Sequence, residues 1–106
     1  KGTLCNLLVC LGVWIGYAGR SVADKVLGVL LPVSAFVALG FEHCVANLYF
    51  LPLSMVLSAS GYVADGIDPA LFTWANVAKN LTAATLGNTV AGVSLAMLYR
   101  AACAKR

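Results

Sequence analysis

Polar positions are scarce along this chain, and their spacing divides it. Gly2 to Gly19 runs 18 residues without a formal charge and ends at Arg20, Asp24 and Lys25. Asn80 to Tyr99 runs 20 uncharged residues and ends at Arg100, Lys105 and Arg106. A helix needs about 20 apolar residues to cross the hydrocarbon of a bilayer. Both stretches therefore predict membrane-spanning helices, over about 2–19 and 80–102.

The middle of the chain is harder to divide. Between Lys25 and Asp65 lie 39 residues whose only formal charge is Glu42. As one helix they would extend about 58 Å at ~1.5 Å per residue, nearly twice the ~30 Å hydrocarbon core. Either two spans meet in a hairpin near Gly40, or one span over about 22–57 is broken in its middle. The first leaves Glu42 and His43 at the membrane surface; the second puts them near its midplane. Basic residues gather on the cytoplasmic side of membranes. A broken span places Arg20, Lys25, Arg100, Lys105 and Arg106 on one side, with Asp65, Asp68 and Lys79 opposite. A hairpin would divide the basic clusters between the two faces. The broken span is the better fit, in a multi-pass plasma (inner) membrane protein with a cytoplasmic C-terminus.

Ser58 to Lys79 contains Gly61, Gly66 and Pro69, which predict an outer loop. A short interfacial helix over 71–77 follows, anchored at headgroup level by Phe72 and Trp74. Asn80-Leu81-Thr82 matches a glycosylation acceptor, a coincidence so close to a span. Gly12-x-x-x-Gly16, and Gly87 with Ala91 and Gly92, offer small faces for close helix packing.

Composition supports the membrane reading. The chain is 61% hydrophobic and 10% charged, where soluble domains carry about 25% charged residues. The four cysteines, Cys5, Cys10, Cys44 and Cys103, show no metal or haem spacing, and no metal, cofactor or nucleic-acid partner is expected. Lys1-Gly2-Thr3 lacks an initiator Met and the features of a signal peptide, so the chain is expected to be part of a longer one.

Glu42 and His43 are the chemically distinctive pair. A helix broken at membrane depth must bury its freed backbone groups or line a cavity. The break also supplies a helix N-terminus with free N–H groups and about half a positive charge, as in the discontinuous helices of transporters. Adjacent residues point about 100° apart on a helix, so only one of the pair faces a given path. His43 and Asn47, four apart, could share a face along that path. Glu42 would then turn back toward amides on neighbouring helices, for which Asn6 and Asn88 are available. Phe36, just before the break, is core packing by default.

Three segments carry a family resemblance. "GFEHCVANLYFLP" (Gly40 to Pro52) resembles the fifth-helix signature of the formate/nitrite transporter family. "LCNLLVCLGVW" (Leu4 to Trp14) is similar to its fourth helix, and "NLTAATLGNTVAG" (Asn80 to Gly92) to its sixth. The resemblance implies an all-α membrane protein, the C-terminal half of an aquaporin-like bundle of two inverted three-helix repeats. It implies homopentamers with one pore per protomer, passing small monovalent anions such as formate, nitrite or hydrosulfide, and no enzymatic activity. Carried over, His43 is the pore histidine, Glu42 its buried neighbour and Phe36 an aromatic constriction residue. Asn6 and Asn88 match polar residues near the pore. Cys44 stands where Ser is usual, a small-for-small change, and Ala83 where many members have Pro. The first three helices of the family pattern have no counterpart in this sequence, so this chain alone is not expected to conduct.

The implied mechanism can be weighed by magnitude. A bare carboxylate in an idealised apolar constriction costs up to tens of kcal/mol. Protonating a carboxyl of pKa near 4 at pH 7 costs roughly 4 kcal/mol, so passage as the neutral acid is the cheaper route. On this expectation helix N-termini and vestibule lysines draw the anion in. His43 donates a hydrogen bond or a proton, and the acid crosses past Phe36. Formate is the first choice of anion. The competing classes are a haem-binding membrane anchor subunit, which a single histidine cannot ligate fully, and a purely structural helix-packing protein.

Overall fold

A computed structural model describes residues 1–104. Lys105 and Arg106, two of the basic residues in the predicted charge asymmetry, lie outside the described residues. The chain folds into α1 (Gly2–Ala18), α2 (Val22–Ala38), α3 (Cys44–Ala59) and α4 (Trp74–Cys103), with a 3-10 turn at Pro69–Leu71 before α4.

Local chemistry sets each boundary. Ser21 caps α2: its Oγ accepts the Asp24 N–H at 3.1 Å, and Asp24 Oδ2 accepts the Ser21 N–H at 3.0 Å. This reciprocal box turns the chain sharply out of α1. α2 ends in a Schellman motif, with Gly40 at φ +59°. The Gly40 N–H donates to Val37 O, and the Phe41 N–H to Phe36 O. α3 ends the same way around Gly61, at φ +84°, with Gly61 N–H donating to Ser58 O and Tyr62 N–H to Leu57 O. The stretch 22–57 is therefore two helices, α2 and α3, separated at residues 39–43.

The region before α4 differs from expectation. No separate helix spans 71–77; instead Thr73 caps α4, its Oγ1 accepting the Asn76 N–H at 3.3 Å, and the helix runs unbroken from Trp74 for 30 residues. Lys79 marked the edge of an apolar stretch. A charge that bounds an apolar stretch does not bound a helix, because lysine is a good helix former.

α1 packs against both α2 and α4, and α3 rests on α4. The contacts are made by small residues. A Cβ on Gly12 would meet Pro32 at 3.5 Å. One on Gly87 would come within 3.1 Å of the Thr3 nitrogen and 3.3 Å of Gly2 Cα, backbone atoms that cannot turn aside. Cys5, Ala84, Ala91, Val77 and Asn88 are buried, whereas Leu27, Leu31, Val22 and Tyr17 are among the many large side chains facing outward. Small residues inside and large apolar ones outside is the arrangement of helices packed for a non-aqueous surround. α4 is long and apolar enough to cross a membrane, and α1 and α3 are shorter apolar helices. At the far end from the break, Trp14 meets Tyr99 edge to face at 5.2 Å, beside an apolar groove of about 460 Å³.

Candidate functional site

The chemistry of this chain gathers at residues 36–47. His43 is the N-cap of α3, and it caps with its ring: Nδ1 accepts the Ala46 N–H at 3.2 Å. Serine, threonine, aspartate and asparagine usually fill this role. An Nδ1 that accepts a hydrogen bond carries no hydrogen, so the neutral ring holds its hydrogen on Nε2. No group among the described residues bonds that Nε2. The Phe36 ring lies against the imidazole, with centroids 5.6 Å apart and planes 20° from parallel. The Schellman turn thus folds the last turn of α2 back beside the first residue of the next helix.

Asn88, buried in the middle of α4, ties the break to the rest of the fold. Its Oδ1 accepts the Cys44 N–H at 3.1 Å, and its Nδ2 donates to Glu42 O and Gly2 O, each at 2.9 Å. One amide therefore satisfies three main-chain groups from two other parts of the chain. Asn6 completes the arrangement by donating from Nδ2 to the carbonyl of Asn88 at 2.6 Å. Gly92 leaves room for it, since a Cβ there would sit 3.2 Å from that nitrogen.

The Glu42 carboxylate is placed differently from expectation. Neither Asn6 nor Asn88 bonds it; both amides are occupied by main-chain atoms. Glu42 Oε2 accepts from Asn47 Nδ2 at 2.6 Å and, at a longer 3.4 Å, from Asn80 Nδ2. Asn47 Nδ2 also donates to Asn80 Oδ1 at 2.8 Å. Asn47 thus serves the carboxylate. It sits at the fourth position of α3, where a side chain reaches back over the first turn to the residue before the cap.

Asn80 is a site residue that the sequence does not announce, since it stands at the edge of a predicted span and within a glycosylation match. The available signal was the demand of a half-buried carboxylate for partners. Its engagement with Glu42 and Asn47, inside a helix, leaves its amide in that network and away from any glycan chemistry.

The first turn of α3 has two of its four free N–H groups satisfied, Cys44 by Asn88 and Ala46 by His43. Those of His43 and Val45 have no partner among the described residues. Free amides at a helix start and a ring N–H form a donor set suited to an anion.

An apolar helix interrupted midway is an architecture of membrane transport proteins; here the break is capped by an imidazole and clamped by amides. The formate/nitrite transporter family model matches residues 1–102. The chain is 40% identical to the formate channel FocB of Escherichia coli over 94% of its own length, and 38% identical to the formate channel FocA of Haemophilus influenzae over 86%. A solved structure described as a pentameric formate channel with formate bound superposes with a TM-score of 0.78 at 38% identity, covering 92% of this chain and 42% of that one. This chain belongs to the formate/nitrite transporter family. It spans 39% and 35% of the length of the two curated relatives.

Proposed function

We propose that this chain forms helices four to six, the C-terminal inverted repeat, of an inner-membrane channel for small monovalent anions, most simply formate. Nitrite and hydrosulfide are the alternatives within the same family. The observation that carries this reading is the imidazole-capped break: His43 holds Nδ1 on its own helix and leaves Nε2–H free, stacked against Phe36. The relatives named as formate channels support the substrate. The pentameric relative with formate bound supports a homopentamer of full-length chains. The three-helix half that precedes this segment in the family pattern would supply the opposite wall of the pore.

In the proposed mechanism the α3 N-terminus attracts the anion electrostatically. His43 Nε2–H donates a hydrogen bond to a carboxylate oxygen, which lowers the cost of bringing it toward Phe36. Passage of the neutral acid then requires a proton, at roughly 4 kcal/mol for a carboxyl of pKa near 4 at pH 7. A neutral His43 that gave up its Nε2 hydrogen would be left as an imidazolate, so in the capped state it orients the anion. Donating a proton requires Nδ1 to be protonated first, which removes the acceptor from the Ala46 N–H. Capping and proton donation are therefore mutually exclusive states of one ring. Glu42, with its carboxylate on Asn47 and Asn80, belongs to the scaffold.

Formate uptake into liposomes carrying the full-length protein tests the reading, with wild type compared to His43→Asn across pH 5 to 8. The expected result is saturable formate flux whose pH profile changes in the variant. An unchanged profile eliminates proton donation by His43, and an absence of formate flux in wild type overturns the substrate assignment.

A further inference from the structure

We infer that Asn80 is a positioning residue for His43, acting through a polar clamp across the first turn of α3. The inference deepens the proposed function and rests on it for its effect on flux. Glu42 is the residue before the N-cap, and Asn47 is the fourth residue of α3. These two positions are where apolar pairs often meet as a staple that fixes the angle at which the chain enters a helix. Here the pair is polar, joined at 2.6 Å, and the N-cap it brackets is the functional imidazole itself.

A clamp within one turn of α3 could move with that turn. Asn80 anchors it to α4, the one helix that runs unbroken for 30 residues. The two hydrogens of Asn47 Nδ2 have two acceptors, Glu42 Oε2 and Asn80 Oδ1 at 2.8 Å. That choice turns Asn80 Nδ2 toward the same carboxylate oxygen, at 3.4 Å. The reverse orientation of the Asn80 amide would set donor against donor and oxygen against carboxylate. The three side chains therefore close in one sense only, with Glu42 as acceptor. Asn88 holds the main chain of the break independently, at Glu42 O and the Cys44 N–H. Asn88 fixes where the break lies; Asn80 fixes the angle of entry, and with it the direction of His43 Nε2–H.

The test uses the full-length protein in liposomes, with formate flux expressed per assembled oligomer. Asn80→Ala is expected to lower maximal flux about tenfold, as for a small misplacement of a reacting group. The half-saturating formate concentration is expected to stay within about twofold, because attraction to the helix start is untouched. Asn47→Ala removes the other end of the same clamp and gives the same loss. The double variant falls no further, as for two members of one unit. Hydrogen exchange of the Ala46 and Asn47 amides, bonded to His43 Nδ1 and His43 O, quickens in each. Asn80→Asp serves if Asn80→Ala does not assemble: it sets a carboxylate oxygen against Glu42 and is expected to lower maximal flux similarly. Wild-type maximal flux in Asn80→Ala or Asn80→Asp overturns the inference, as does a roughly hundredfold loss in the double variant. If wild type carries no formate, the proposed function fails. Unchanged exchange at the first turn of α3 in Asn80→Ala then separately overturns the positioning role.

Discussion

Asn88 and His43 carry the site by the same means, each using a side chain to finish what the interrupted backbone leaves undone. Replacing Asn88 with leucine would strand the Cys44 N–H and the carbonyls of Gly2 and Glu42. Stranded buried polar groups cost about 1–3 kcal/mol each. Thermal unfolding of the detergent-solubilised full-length protein should show Asn88→Leu destabilised by at least about 3 kcal/mol, or failing to assemble. A midpoint within a degree of wild type would mean that water replaces the amide. Because the Asn88 side chain bonds only main-chain atoms, the side chains at 42 and 44 can change without touching it, so exchange of Cys44 for another small residue is expected to leave the clamp intact. His43, Glu42 and Phe36 were legible in the sequence because an ionisable pair beside an aromatic residue stands out in an apolar run. The partner of the carboxylate was not. Sequence offered four amides within or at the edge of the predicted spans, Asn6, Asn47, Asn80 and Asn88, and only packing decides which of them meet Glu42.

The helices were legible to different degrees for physical reasons. Gly40 and Gly61 announce the ends of α2 and α3, since both take a positive φ that favours glycine. A Cβ on Gly40 would meet nothing within 4 Å, so the cost of Gly40→Ala is one of backbone conformation alone, about 1–2 kcal/mol. It should appear as a modest loss of thermal stability with flux retained in assembled channels. Gly87 presents the opposite case. Its missing side chain is what lets α1 approach α4, and the atoms in the way belong to the backbone of Gly2 and Thr3. Gly87→Val should therefore separate the two helices, break the bonds from Asn88 to Gly2 O and from Asn6 to Asn88 O, and abolish assembly as read by size-exclusion chromatography. Recovery of a normal oligomer would show that the crossing can shift. The start of α4 is less legible because the edge of an apolar stretch is not the edge of a helix; Thr73, a good cap with a favourable continuation, is the better guide.

At the scale of the whole molecule, the described residues measure 58 × 30 × 18 Å, and many large apolar side chains face outward. Transferred to liposomes alone, this 106-residue chain is expected to give no formate flux above empty vesicles, while the full-length protein gives saturable uptake. Flux from the chain alone would mean that copies of this half assemble a path among themselves. The 18 Å dimension explains the expectation. Packed helix axes lie about 8–10 Å apart, so the fold is a wall about two helices thick. An ion beside His43 would have protein on one side and whatever the opposite face provides on the other. Half of the dielectric environment that governs its passage would thus depend on what meets that face.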